Sequence, residues 1–90
     1  MSLGEGLAAR RQSSGGKVEV NFRVIRYREP GCYLELTWEP IDGSPPIAYV
    51  PSPRRWRVEM PECARDRRSD IFPEIQDQTR FMNFTWQEVD

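Results

Sequence analysis

The stretch Pro51 to Pro61, "PSPRRWRVEMP", sets Arg54, Arg55 and Arg57 around Trp56, with Ser52 just before them. A guanidinium is a planar fork of donors that fits carboxylates and phosphates, and an indole fills a pocket or stacks on a flat ring. Together these groups do the chemistry of binding rather than of bond breaking. A second basic run, Arg65, Arg67 and Arg68, follows shortly and is interleaved with Glu59, Glu62, Asp66 and Asp70. One reading is a protein contact anchored by Trp56, since tryptophan and arginine dominate interface hot spots. The alternative is a nucleic-acid surface with arginines on phosphates and Trp56 on a base. The interleaved acids and the lack of an RNP-like or helix-turn-helix pattern count against that alternative. The plainest reading is a core tryptophan rimmed by intramolecular ion pairs. The candidate partner-binding residues are Ser52, Arg54, Arg55, Trp56 and Arg57. Lys17 is the only lysine among 13 basic residues, and such an arginine bias can reflect a GC-rich genome as readily as function.

Catalytic chemistry finds little support. The chain has no histidine, which removes the commonest general base and metal ligand. Glu35 and Glu39 stand four apart on an expected strand, hence on one face. They alternate with Leu34, Leu36 and Trp38, the pattern of a solvated strand face. Ser52 and Ser69 have no evident activating base. No glycine-rich phosphate loop is present. Asp66, Asp70, Glu74 and Asp77 do not follow the spacing of a calcium loop. Cys32 and Cys63 lack CxxC spacing, so neither a zinc site nor a redox motif is indicated. They are expected to be free and packed, with a disulfide as the second reading. The expectation is a non-enzyme without cofactor or metal.

Ninety residues with a net charge of -1 suit one small domain and give no reason to expect a polyanionic partner. No apolar run approaches the roughly 20 residues that span a bilayer. Leu7-Ala8-Ala9 runs at once into Arg10-Arg11, unlike a secretory leader, so a cytoplasmic location and no membrane partner are expected. Residues 1–16 read as a flexible tail and residues 17–90 as one α+β domain.

The elements that would position these groups can be read from periodicity. Val18, Val20, Phe22 and Val24 alternate, and Ile25 and Tyr27 continue in the other phase, which predicts a bend near Val24. "REPGC" predicts a turn, with a four-residue loop over Glu29–Cys32. "CYLELTWE" is the next strand. In this register Tyr27 faces Leu34, Ile25 faces Leu36 and Arg26 faces Glu35. "PIDGSPP" is expected as a loop and "IAYV" as a short strand limited by prolines. Trp56, Val58 and Met60 alternate, which suggests a short edge strand or extended loop. "SDIFPEIQDQTRFM" reads as a helix capped by Ser69 or Asp70 and ended at Asn83. "FTWQEV" is the last strand. The expected architecture is a two-layer α+β domain: a mostly antiparallel sheet of about four strands with one helix on one face, in the order β-β-β-(β)-α-β. A homodimer joined through a strand edge is a further reading.

The sequence of landmarks resembles the predicted immunity proteins of bacterial polymorphic toxin systems. The hairpin "IRYREPGCYLELTWE", the serine and tryptophan in "IAYVPSPRRW", the helix "SDIFPEIQDQTRFM" and the final strand "FTWQEV" carry the resemblance over Val24 to Val89. It implies a small cytoplasmic protein that neutralises a cognate toxin by binding it, without catalysis. The serine and tryptophan map to Ser52 and Trp56. The family pattern tends to place an acidic residue after the tryptophan, where this chain has Arg57.

Overall fold

The computed structural model describes residues 15–90. Five strands form one sheet: β1 (Lys17–Asn21), β2 (Val24–Glu29), β3 (Cys32–Ile41), β4 (Ser44–Pro51) and β5 (Thr85–Val89). They lie side by side in that order. The first three pairings are antiparallel, and β4–β5 is parallel. The parallel pairing needs a crossover, which α1 (Pro53–Glu59), α2 (Arg68–Gln78) and a 3-10 turn (Arg80–Met82) supply. The protein is thus α+β, with a five-stranded mixed sheet and two helices where about four strands and one helix were expected.

Alternation decides the layers. Ile25, Tyr27, Leu34, Leu36, Ala48 and Val50 point from three adjacent strands to one side. There they form a single core with Trp56 and Met60 of the α1 segment, Ala64, and Ile71 and Ile75 of α2. The opposite sheet face carries Arg26, Tyr33, Glu35 and Thr37 and, among the described residues, has no helix on it. Its ion pair between Arg26 and Glu35 is directly cross-strand.

The β2–β3 register matches the sequence expectation pair for pair: Tyr27–Leu34, Ile25–Leu36 and Arg26–Glu35. The loop is shorter than expected. Glu29 and Cys32 are themselves paired, so Pro30-Gly31 alone turns the chain, with Gly31 at φ +79. The expected bend near Val24 is a full hairpin turn at Phe22-Arg23, and Arg23 takes the left-handed conformation at φ 66. Trp38 of β3 holds that turn, its backbone N–H bonding Arg23 O at 3.2 Å and its Nε1–H bonding Asn21 O at 2.8 Å. The "PIDGSPP" loop is instead a tight turn at Asp42-Gly43 between β3 and β4. β4 is longer than its prolines suggested because Pro45 and Pro46 fall outside the segment paired with β5. They sit where the β3 register also shifts.

Two further expectations are corrected. Residues Pro53–Glu59 are helical, not extended. Pro53 stands in the first turn, where its missing N–H is no loss, and Ser52 caps the helix by accepting the Arg55 N–H at 3.2 Å. Cys32 and Cys63 are joined in a disulfide, with Cα atoms 5.7 Å apart. Folding brings the start of β3 under the α1–α2 connection, a proximity that 31 residues of separation concealed. In α2 the expected caps lie inside the helix, because it begins at Arg68 and its cap position, Arg67, makes no side-chain cap bond. The helical run does end at Asn83, which is left-handed at φ 55. The tail expectation falls, for residues 1–14, outside the described residues. Gly16 belongs to the folded part: a Cβ there would lie 2.2 Å from the Tyr27 ring.

Candidate functional site

The α1 helix is short, and its two sides differ completely. Trp56 is fully buried, and its Nε1–H donates to Ala64 O at 2.8 Å. Met60 follows one turn later and is also buried. On the outer side stand Arg54, Arg55, Arg57 and Val58, and Val58 is 74% exposed. The spacing of Trp56 and Met60, four apart, is what turns these four outward.

Of the candidate residues, Trp56 and Ser52 are therefore interior. The Trp56 ring offers no surface to a partner, so the reading of it as a direct anchor is corrected to a core role. Ser52 is buried, and its Oγ donates to Asp90 Oδ1 at 2.6 Å while capping α1. Arg54, Arg55 and Arg57 are exposed, as a contact surface requires. Arg54 pairs with Asp90 at 3.0 Å, Arg55 with Glu59, and Arg57 with Asp66 at 3.7 Å. Arg55 Nη1 also donates to Asp90 O at 3.1 Å, so the segment after β5 is tied to α1. Hydrogen bonds from Ser52 and then Arg54 hold the Asp90 carboxyl below its usual range.

A groove of about 310 Å³ joins this helix to the open sheet face. Arg55, Glu59 and Met60 form one side, and Glu35, Thr37, Tyr49 and Val89 the other. Its polar lining is pre-ordered. Tyr33 and Arg26 bond Glu35 and lower its pKa, in that order of weight. The Tyr49 hydroxyl donates to Glu39, which raises the tyrosine pKa. Sequence reasoning missed this groove because Glu35 and Tyr49 become its wall only once β3 and β4 pair and α1 folds beside them. The period-four pair Trp56/Met60 and the Ser-Pro cap were the signals that could have revealed the helix.

A larger hollow of about 530 Å³ lies at the β1–β2 end, beside Lys17, Glu19, Arg26, Arg28 and Glu29. Four of these five charges are paired within the chain: Arg28 with Glu19 at 3.7 Å, Arg26 with Glu35 at 3.0 Å, and Glu29 with Arg67 at 2.8 Å.

Among the described residues, no group of three or more His, Cys, Asp or Glu side chains could hold a metal ion. No helix among them is long and apolar enough to cross a membrane. No protein-family model matches the chain, and neither a curated protein nor a solved structure shows a significant match.

Proposed function

We propose that this chain is a non-catalytic protein-binding module, of the immunity-protein kind that its landmarks resemble, and that it engages its partner through the outer face of α1 and the adjoining groove. The observation that carries this reading is the exposed Val58 surrounded by Arg54, Arg55 and Arg57 on a helix whose other side is locked into the core. A rigid element bearing one apolar side chain and several planar cations loses little conformational entropy on docking. Each of these arginines already has a carboxylate within 4.0 Å. A locally compensated surface suits a partner of mixed charge better than a phosphate backbone, which draws its affinity from uncompensated cations. In this reading the partner is a toxin domain, neutralised by occlusion.

The test is capture of partners from the source cell on wild-type chain and on an Arg54→Ala/Val58→Asp variant, with and without nuclease. Both replaced side chains are exposed, so circular dichroism should show an unchanged fold. A protein retained after nuclease and lost with the variant, which then inhibits an activity of that protein in purified form, supports the proposal. Capture that disappears with nuclease, or that the variant does not alter, refutes it. The cytoplasmic location is also a proposal, and the Cys32–Cys63 disulfide weighs against it, since disulfides persist in oxidising compartments. Thiol labelling of the protein in its own cell decides this: two reactive cysteines fit the cytoplasm, none an oxidising space.

A further inference from the structure

The two edges of the sheet are finished differently. The outer edge of β1 is closed by a side chain: Gln78 Oε1 accepts the Val18 N–H at 3.1 Å, and Gln78 Nε2 donates to Gly16 O at 2.9 Å. The amide of α2 thus occupies the place of a neighbouring strand. The β5 edge has no such closure among the described residues. Ser52 N–H bonds Val89 O at 2.7 Å, which shows that Val89 directs its backbone groups toward β4. By the two-residue period, Gln87 and Thr85 do the same. Trp86 and Glu88 then turn their N–H and C=O groups outward.

Exposed edges are normally blunted by lysine, proline or a bulge. Thr85–Val89 contains no lysine, proline or glycine, and its pairing with β4 is regular. Its one acid, Glu88, is compensated by Arg68 at 3.4 Å. Val89 is 39% exposed at the end of the strand.

We propose that β5 pairs antiparallel with β5 of a second copy of this chain, about a two-fold axis through Gln87. In that register Trp86 and Glu88 of opposite copies form hydrogen-bonded pairs, using all four outward groups of each copy. Gln87 faces Gln87, and Thr85 faces Val89. No like charges meet. Centring on Glu88 would oppose two carboxylates, and centring on Trp86 would pair Glu88 with Phe84, so charge and hydrogen bonding select Gln87. The result is a continuous ten-stranded sheet. The outer face of α1 is not needed for it, and Val89 is the one residue that it shares with the groove of the binding proposal.

The test is the mass of the full chain in solution by sedimentation and light scattering across a wide concentration range. The expected result is a monomer–dimer equilibrium. Gln87→Lys places two ammonium groups face to face and should weaken the dimer at least tenfold, with partial recovery at high salt. Gln87→Cys should give a disulfide-linked dimer on mild oxidation, because the two Cα atoms of such a non-hydrogen-bonded pair lie about 4.5 Å apart. Thr85→Cys should not, because its partner is Val89. Monomer at all concentrations overturns the proposal. So does a dimer that tolerates Gln87→Lys, or one that cross-links at residue 85 rather than 87.

Discussion

The two arginine-rich stretches, Arg54–Arg57 and Arg65–Arg68, look alike in sequence and behave differently in the fold. In the first, the guanidiniums stand outside α1, and Arg54 has a side chain 78% exposed. In the second they bond back to the fold, Arg67 and Arg68 from half-buried positions and Arg65 from an exposed one. Arg67 makes two hydrogen bonds to the Glu29 carboxylate, at 2.8 and 3.0 Å, and so ties the start of α2 to the end of β2. Arg68 donates to Pro51 O at 3.0 Å and lies over the Phe72 ring at 5.1 Å and the Trp56 ring at 5.9 Å. Arg65 donates to Met60 O at 3.0 Å. What separates the groups is the backbone beneath them. The first lies on the outside of a regular helix. The second lies in and just after an irregular connection, where Met60 O and Cys63 O accept from arginine side chains. Arginine count alone therefore overstates the surface available for binding.

The sharpest way to break this comparison is to remove what both stretches rest on. Trp56→Ala should cost about 3–5 kcal/mol, the range for a large buried aromatic. It also leaves Ala64 O without its indole donor. Urea unfolding measures the loss, and a cost below about 1 kcal/mol would mean that Trp56 is not core. Next in size is the disulfide. Cys32→Ala/Cys63→Ala should lower stability by about 3–4 kcal/mol if closing a loop of this length acts mainly on the unfolded chain. It should also loosen the second stretch before the first, because Cys63 lies in the connection and Cys63 O accepts from Arg67 at 3.4 Å. Hydrogen exchange should show earlier opening at 63–68 than at 53–59, and equal opening would remove the distinction drawn here.

How much of this was legible depended on whether a signal was local. The β2–β3 hairpin could be read because alternation and a charge pair agreed on one register. The last strand was legible for the same reason of period. The α1 helix was not, because Trp56, Val58 and Met60 also satisfy a period of two. The cap at Ser52 and the exposure of Val58 between the buried Trp56 and Met60 mark the helix. The first turn was concealed because Arg23, rather than glycine or asparagine, holds the left-handed position, stabilised by bonds from Trp38. The disulfide and the Arg67–Glu29 tie join residues whose proximity exists only after the sheet has formed. The disulfide stood only as the second reading of the chain's two cysteines, and the partner of Arg67 could not be named from spacing. The groove beside α1 is of the same kind.

Arg67→Ala comes next, at about 1–3 kcal/mol for lost hydrogen bonds to a charged group. Its signature is in the pH dependence. Bonds from Arg67 first, and then from Tyr27, hold the Glu29 carboxyl below its ordinary value of 4.5. A lowered folded value means that the unfolded chain binds the proton more readily. The stabilisation is therefore complete above the ordinary value and is lost as pH falls through the folded one. The wild-type urea midpoint should drop as pH falls from about 5, and part of that drop should vanish in Arg67→Ala. A variant with the wild-type slope would show that Glu29 is held by other groups.

The smallest expected effect is the most informative about binding. Arg54→Ala removes a guanidinium whose neighbour, Asp90, keeps its bond from Ser52 and the charge of Arg55 nearby. Exposed ion pairs of this type contribute little to folding. The melting temperature at neutral pH should not move measurably. If the surface of α1 is used, the same substitution should still weaken capture of the partner, and Arg57→Ala should do likewise. Loss of binding with unchanged stability would set this stretch apart from the structural arginines eleven residues on. Loss of both together would make Arg54 one more anchor, and would leave Arg55, Arg57 and Val58 as the outward features on which the contact could rest.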